Sequence, residues 1–141
     1  MANWNGAART NYAKFNDIEG LKKSIEPFDL ELWEKEDGFC ALGVGGNSDS
    51  GGWPSFSYKV LEDGTEEEVE FDFQEHVVPF LADGEVLVAQ EVGHEKMRYL
   101  TSVSCAFCKG KKPIYLNIDD IYQKAAKKFK VDSRNITHAE Y

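Results

Sequence analysis

The sequence contains no hydrophobic run long enough to cross a membrane, and it has little cysteine. No segment approaches the roughly 18 consecutive apolar residues of a membrane-spanning helix, and the first fifteen residues lack a basic stretch followed by an apolar one. The cysteine count of three is odd, which is more typical of a reducing compartment than of a disulfide framework. We therefore expect a cytoplasmic protein with free thiols and no membrane partner.

Positive charge is missing where negative charge is densest. From Glu62 to Glu95 there are twelve acidic residues and no lysine or arginine. Residues 1–95 contain 21 acidic and 6 basic residues, a balance of −15, whereas residues 96–141 contain 4 and 10, a balance of +6. Phosphate contacts need clustered lysine and arginine, so direct binding of nucleic acid by the acidic part is disfavoured. A basic protein surface is the natural partner.

The composition indicates a chain that folds without help. Hydrophobic residues make up 42% and aromatic residues 13% of the 141 positions, which excludes a disordered chain although 29% are charged. A domain of this length buries roughly two-thirds of its unfolded surface. We expect residues 1–141 to form one domain that needs neither metal nor disulfide to fold.

Hydrophobic periodicity predicts an alternation of strands and helices in the first half. ARTNYAKF reads as a strand, and Asn16 or Asp17 is expected to cap a helix that ends at Pro27. The Asp37-Gly38 pair predicts a hairpin between FDLELWEKE and FCALGV. WPSFSYKV reads as another strand, followed by a turn at EDGT.

The second half continues the same pattern. EEEVEFDF alternates as a half-buried strand, and Asp72 with Glu75 forms a capping-box pattern for a short helix in FQEHVVPFLA. EVLVAQEV, KMRYLTSVSCAF and PIYLNI read as strands, and Asp119 and Asp120 open a last helix. The predicted fold is α+β, a mainly antiparallel sheet with about three helices packed on one face. The expected core residues are Leu30, Leu32, Leu42, Val86, Val88, Leu116, Ile121 and Phe129.

The densest carboxylate row is the first candidate site. Its members are Glu66, Glu67, Glu68, Glu70 and Asp72. Neighbouring charges on one strand face lie about 6.6 Å apart and repel by only roughly 0.6 kcal/mol in water. The row is therefore explained without any function as a solvated face that blocks edge-to-edge aggregation. The functional alternative is a decoy for phosphate or a docking face for a basic partner, supported by the length of the acidic stretch.

A glycine-rich loop, GVGGNSDSGGWPSF, is the second candidate. It lacks the GK[ST] ending of a phosphate-binding loop, and no helix signal follows it, so it predicts no nucleotide cofactor. Trp53 and Phe56 are its candidate partner-binding anchors. An enzyme would instead need a cleft near this loop with a perturbed titrating group. His76 and His94 each stand beside a glutamate, and we interpret both as surface pairs.

Cys105 and Cys108 have the spacing of half a zinc knuckle. A closed site needs two further ligands, for which Cys40 and a histidine are available, but no second paired motif is present. A redox pair is disfavoured because these cysteines stand in a strand and turn context rather than at a helix N-terminus. We therefore predict no metal and no cofactor.

Four sequence segments together resemble a known group of proteins: ARTNYAKFND, GGWPSF, LADGEVLVAQEVGHEKMRYLT and IDDIYQKAAKKF. They resemble a group of small acidic proteins without an assigned activity that are encoded on plasmids, phages and other mobile elements. The resemblance implies a setting, that of mobile elements, in which small acidic proteins often act against host restriction or CRISPR systems by occupying a nucleic-acid-binding surface. It assigns no functional residues and does not include the CAFC cysteines.

The leading hypothesis is a non-enzymatic acidic protein that docks on the basic surface of a nuclease or another nucleic-acid-binding protein. The alternatives are an immunity protein that neutralises a toxin, a small enzyme and a metal-binding module.

Overall fold

The structure is a computed structural model and describes residues 4–44, 51–95 and 99–139. These residues form nine strands and three α-helices, which confirms the expected α+β fold with a mainly antiparallel sheet. The strands are β1 (Trp4–Thr10), β2 (Ala13–Lys14), β3 (Leu30–Glu34), β4 (Phe39–Val44), β5 (Phe56–Val60), β6 (Glu66–Glu70), β7 (Val86–Glu95), β8 (Tyr99–Cys108) and β9 (Ile114–Asn117). The helices are α1 (Ile18–Ile25), α2 (Phe73–His76) and α3 (Asp120–Phe129).

Seven of the strands pair into one antiparallel sheet. Strand β4 pairs with β3 and also with β1 and β2, and the sheet continues from β1 through β7 and β8 to β9. Strands β5 and β6 form a separate two-stranded sheet. Six of the fourteen residues of the predicted glycine-rich loop, 45–50, and the start of the strand predicted at KMR lie outside the described residues.

The strand predicted over ARTNYAKF is divided between β1 and β2. At the division, Thr10 Oγ1 accepts a hydrogen bond of 2.9 Å from the buried Leu42 N–H of β4. The Asn11 side chain donates to Val86 O at 3.1 Å and accepts from Val88 N–H at 2.8 Å. Two side chains thus replace backbone partners where β1 leaves β7, which leaves Thr10 as a buried polar residue of the core.

Helix α1 covers one face of the sheet. Its predicted cap is confirmed at Asp17, whose carboxylate accepts from Gly20 N–H at 2.9 Å. Leu21 and Ile25 are buried on its inner side, and the helix ends at Ile25, where a 3-10 turn containing Pro27 follows. This placement agrees with the helical stripe read from the sequence.

The core lies between this sheet face and the segment that follows α2. Phe15 N–H donates to Gly38 O, and Ala82 N–H donates to Lys14 O, so the segment around Leu81 is tied to β2. The buried cluster consists of Ala13, Phe15, Leu21, Ile25, Cys40, Leu42, Val77, Val78, Leu81, Leu87, Ala89 and Phe107. No helix in the described ranges is long and apolar enough to cross a membrane.

Half of the expected core residues are placed wrongly by the sequence. Leu42 is fully buried, Leu30 and Leu32 pack against the core while partly exposed, and Val88 is half-buried. The other four are exposed, and these are Val86, Leu116, Ile121 and Phe129.

The errors have two physical causes. In β7 the buried residues are Leu87 and Ala89. The alternate positions of EVLVAQEV, Val86 and Val88, were instead expected to face the core. Helix α3 buries none of its residues, and its main neighbour is the short 3-10 helix Ser133–Asn135. Tyr122 is covered instead by His138, whose ring lies stacked on it at 4.1 Å. Because Phe129 is 71% exposed, its truncation removes little buried surface.

The strand division yields a stability prediction. Changing Thr10 to Val keeps the shape of the side chain but removes the acceptor for the Leu42 N–H. A buried donor left without a partner costs about 1 to 3 kcal/mol in the free energy of unfolding. Thr10→Ser, which retains the hydroxyl, should lose clearly less. Urea denaturation of the two variants measures the difference, and equal stabilities would show that the hydroxyl is not needed.

Candidate functional site

The acidic stretch lies on a hairpin that stands apart from the main sheet. Strands β5 and β6 pair antiparallel and are joined by the turn at EDGT. In that turn the Asp63 carboxylate accepts from Thr65 N–H at 2.9 Å and from Thr65 Oγ1 at 2.6 Å. These hydrogen bonds lower the pKa of Asp63. The turn is therefore closed by the ionised Asp63 carboxylate, because both hydrogen bonds from Thr65 favour its charged form.

The hairpin register brings carboxylates and apolar side chains to one face. Glu70 lies opposite Phe56, Glu68 opposite Tyr58 and Glu66 opposite Val60. Alternate residues of a strand share a face, and the rings of Phe56 and Tyr58 contact each other at 5.9 Å. All six side chains are exposed, with Val60 at 66%. We call this set the acidic hairpin face: Phe56, Tyr58, Val60, Glu66, Glu68 and Glu70.

The opposite face of the hairpin turns toward α1. Ser57 Oγ donates to the carbonyl oxygen of Pro27, and Val69 is half-buried. A cleft of about 580 Å³ remains between α1 and the hairpin. Glu67 lies opposite Lys59 on this side, and both line the cleft. Of the predicted carboxylate row, Glu67 therefore does not share the face of the other hairpin glutamates.

Asp72, the last member of the predicted row, caps α2. Its carboxylate accepts from Gln74 N–H at 2.9 Å. The reciprocal half of the expected capping box is different, because the Asp72 N–H donates to His76 Nδ1 at 3.1 Å rather than to Glu75. His76 also stacks against Phe71, so it serves the packing of this corner rather than a surface pair. Asp72 remains exposed, but its carboxylate has a local structural role.

The two predicted aromatic anchors are placed in different environments. Phe56 belongs to the acidic hairpin face, where it is half exposed. Trp53 is partly buried against the core, with its ring edge-on to Phe73 at 4.9 Å between centroids. The structure thus joins Phe56 with the carboxylates and separates it from Trp53.

Trp53 forms one wall of a second cleft, which the sequence did not reveal. We call it the aromatic cleft; its volume is about 270 Å³, and it lies beside Phe71, Phe73, Phe107 and Tyr115. Glu91 of β7 also lines it, on the face of the strand that carries Leu87 and Ala89. Burial raises the pKa of Glu91, and a hydrogen bond from the Trp53 backbone opposes that effect. The period-two pattern Leu87, Ala89, Glu91 was the available signal for this carboxylate.

The paired cysteines point away from each other. Cys105 lines the aromatic cleft, whereas Cys108 lies three positions further along the same strand and therefore on the other face. Burial raises the pKa of the Cys105 thiol, and the charge of Glu91 raises it further. Cys40 is buried in the core, where desolvation likewise raises its pKa. Across the described ranges no three histidine, cysteine or acidic residues group as metal ligands.

A further exposed surface of the molecule is both basic and apolar. Apolar side chains of β9, α3 and their flanks are between 46% and 71% exposed. They are Ile114, Tyr115, Leu116, Ile118, Ile121, Phe129 and Val131. Four lysines of α3 and its C-cap are exposed as well, at positions 124, 127, 128 and 130. Exposed apolar residues in such number are typical of an interaction surface.

Glu91 yields a prediction for the pH dependence of stability. Its folded-state pKa is raised, so the ionised carboxylate destabilises the fold, and this penalty disappears as the pH falls below the ordinary glutamate value. Glu91→Gln should therefore raise the unfolding midpoint at pH 7 and have little effect at pH 4. Glu31→Gln, an exposed glutamate on β3, is the matched control. Thermal unfolding of both variants at the two pH values measures this, and an E91Q protein less stable than wild type at pH 7 would contradict it.

Elemental analysis tests the metal prediction. Protein purified without added metal should contain no stoichiometric zinc, because one strand cannot direct Cys105 and Cys108 to the same ion. One tightly held zinc per chain that disappears in the variant with both cysteines changed to Ser would overturn this expectation.

Comparison with known proteins assigns the chain to no family. No family model, curated protein or solved structure matches it. The resemblance to proteins of mobile elements therefore stays a prediction, and the acidic hairpin face, the aromatic cleft and the basic surface are the features on which function is argued.

Proposed function

We propose that this chain is a non-enzymatic binding protein that docks through its acidic hairpin face on a basic surface of a nucleic-acid-binding protein, in the cytoplasm. The observation that carries the proposal is the exposure of three glutamates and three apolar side chains on one face of an outlying hairpin. The glutamates lack salt-bridge partners among the described residues. A basic partner would supply the charges that this face lacks.

The chemistry of the face supports a nuclease or another nucleic-acid-binding protein as the partner. Proteins that bind single strands combine a positively charged groove with aromatic contacts to the bases. Glu66, Glu68 and Glu70 offer negative charge at a spacing of about 6.6 Å, and Phe56 and Tyr58 offer rings beside them. The face therefore presents the two kinds of contact that such a groove accepts. A protein bound in this way would compete with nucleic acid for the groove. An anti-restriction or anti-CRISPR inhibitor is the kind of protein for which such competition is the function.

The other candidate functions have weaker support. An immunity protein against a nuclease toxin would use the same face on another partner. The enzyme alternative has its cleft near the glycine-rich loop, with Glu91 and Cys105 in it. Yet the pKa of Cys105 is raised, which favours the unreactive thiol over the nucleophilic thiolate. The metal-binding alternative is disfavoured by the opposite directions of Cys105 and Cys108.

A DNA-cleavage assay tests the proposal directly. The protein is added to a panel of purified restriction nucleases, CRISPR effector nucleases and nuclease toxins, and cleavage of a fixed substrate is measured. Inhibition should weaken when excess DNA competes and when the salt concentration rises, because the charged contacts are screened. Changing Glu66, Glu68 and Glu70 to Gln should slow association with the inhibited nuclease by about tenfold or more.

The matched control removes the same charge elsewhere. Glu26, Glu31 and Glu36 are exposed and lie outside the hairpin, so their change to Gln should leave association nearly unchanged. Two results would refute the proposed face: equal effects of the two triple variants, or loss of inhibition only when Ile121 and Phe129 of the basic surface are changed to Asp. Absence of inhibition across the panel would refute this choice of partner.

A further inference from the structure

The aromatic cleft contains a carboxylate where the fold calls for an apolar side chain. Along β7 the residues that face the core are Leu87 and Ala89, and the next position on the same face is Glu91. Glu91 is half-buried and lines the cleft together with Cys105. Cys105 lies on β8, directly opposite Ala89. A half-buried carboxylate on the core side of a sheet loses hydration, which is unfavourable unless a positive charge or hydrogen bonds compensate.

Aromatic rings line the same cleft as this carboxylate. The rings of Trp53 and Phe73 meet at 89°, with centroids 4.9 Å apart. Phe71 meets Phe73 at 70° and 4.9 Å, and Phe107 stacks on Phe73 at 5.2 Å. Tyr115 stands edge-on to Phe107 at 6.5 Å and completes the wall on the β9 side. The rings come from four separate parts of the chain, and only the tertiary fold assembles them.

The charge of the lining selects the sign of a ligand. Among the described residues that line the cleft, Asp72 and Glu91 are carboxylates and none is lysine or arginine. An anion would meet two negative charges, whereas a cation would meet opposite charge and aromatic rings, which attract cations. Each carboxylate accepts one backbone hydrogen bond, Asp72 from Gln74 and Glu91 from Trp53. Asp72 is exposed whereas Glu91 is half-buried, so the charge of Glu91 is the one that water screens less.

The apolar walls and the size of the cleft select the kind of cation. Ligand clefts commonly have about 300 to 1,000 Å³, so a cleft of about 270 Å³ suits a small group. A metal ion would need several polar ligands in place of its water, and the lining supplies few. An alkylated ammonium group instead contacts aromatic rings favourably. It is also weakly hydrated, so it gives up little hydration free energy when it enters the cleft.

We propose that the aromatic cleft binds an organic cation with a trimethylammonium-type head, which the rings of Trp53, Phe73 and Tyr115 contact while Glu91 balances its charge. The ligand is either a free small molecule or the trimethylated side chain of a lysine, because the chemistry of the head is the same in both. This site is separate from the acidic hairpin face and goes beyond the proposed docking function. The raised pKa of Glu91 agrees with a carboxylate that lacks such a cation.

Titration with choline and with Nα-acetyl-trimethyllysine amide tests the site. Binding is followed by calorimetry and by the nuclear magnetic resonance shift of the Trp53 indole N–H, which is assigned with Trp53→Phe. The neutral carbon analogue of choline, 3,3-dimethylbutan-1-ol, has the same shape without the charge. We expect saturable binding of at least one cation, and at least about tenfold weaker binding of the neutral analogue, which corresponds to about 1.4 kcal/mol.

Variants separate the charge from the fold. Glu91→Gln keeps the shape of the side chain, is expected to fold at least as stably as the wild type, and should weaken cation binding by about tenfold. Tyr115→Leu, at an exposed position, should weaken it as well, because a ring is lost. Glu31→Gln removes one carboxylate from β3, away from the cleft, and should bind like the wild type.

The outcomes are distinct from those of the nuclease assay. Binding of choline but not of the trimethyllysine compound identifies a free small ligand, and the reverse result identifies a modified protein side chain. Either result supports the site even if no nuclease is inhibited. Three results would overturn the proposal: equal affinity for the neutral analogue, unchanged binding by Glu91→Gln, or no binding of either cation up to about 10 mM. The last limit corresponds to a binding free energy weaker than roughly −3 kcal/mol.

Discussion

The division of the first strand is the constraint on which the rest of the sheet depends. Strand β1 pairs with β7 along its length and must then leave it so that β2 can pair with β4. Backbone groups at such a point lose their partners, and buried polar groups without partners are unfavourable. The Thr10 hydroxyl and the Asn11 amide supply the missing hydrogen bonds, on β4 and β7 respectively. With these strands held in register, Leu42 and Leu87 join Leu21 of α1 in the buried core cluster.

The hairpin gains its exposure from being attached to this core rather than built into it. A two-stranded hairpin is marginally stable alone, so it needs anchors. They lie on its inner side and at its end, where Ser57 donates to Pro27 and the ring of Phe71 packs on Phe28 at 5.0 Å. The outer face is then free to carry like charges in water, where their mutual repulsion is small. That separation is the structural reason why docking is proposed for the acidic hairpin face.

One short stretch of chain links the hairpin to the aromatic cleft. After β6 ends at Glu70, Phe71 packs on the hairpin side and also lines the cleft, Asp72 caps α2, and Phe73 forms the centre of the ring cluster. Alternating apolar and acidic residues therefore serve two neighbouring sites in succession. The basic surface around α3 shares Tyr115 of β9 with the aromatic cleft, and its exposed lysines distinguish it from both sites.

The sequence by itself determined those features that depend on neighbouring residues. Strand alternation, the Asp17 and Asp72 caps and the turn at Asp37-Gly38 follow from backbone geometry and local hydrogen bonds, so they were predicted with the α+β fold. The carboxylates at 66, 68 and 70 could likewise be placed on one strand face.

Only the tertiary structure decided which apolar face is covered and which distant side chains meet. A period-two pattern is the same whichever face packs, so Val86 was assigned to the core although Leu87 is buried there. An amphipathic stripe likewise does not specify a partner, so Ile121 and Phe129 were expected inside and lie outside. Glu91 meets Trp53 only because β7 and the chain before β5 approach the same end of the core. Such meetings arise from long-range packing, which depends on the whole chain rather than on any local pattern.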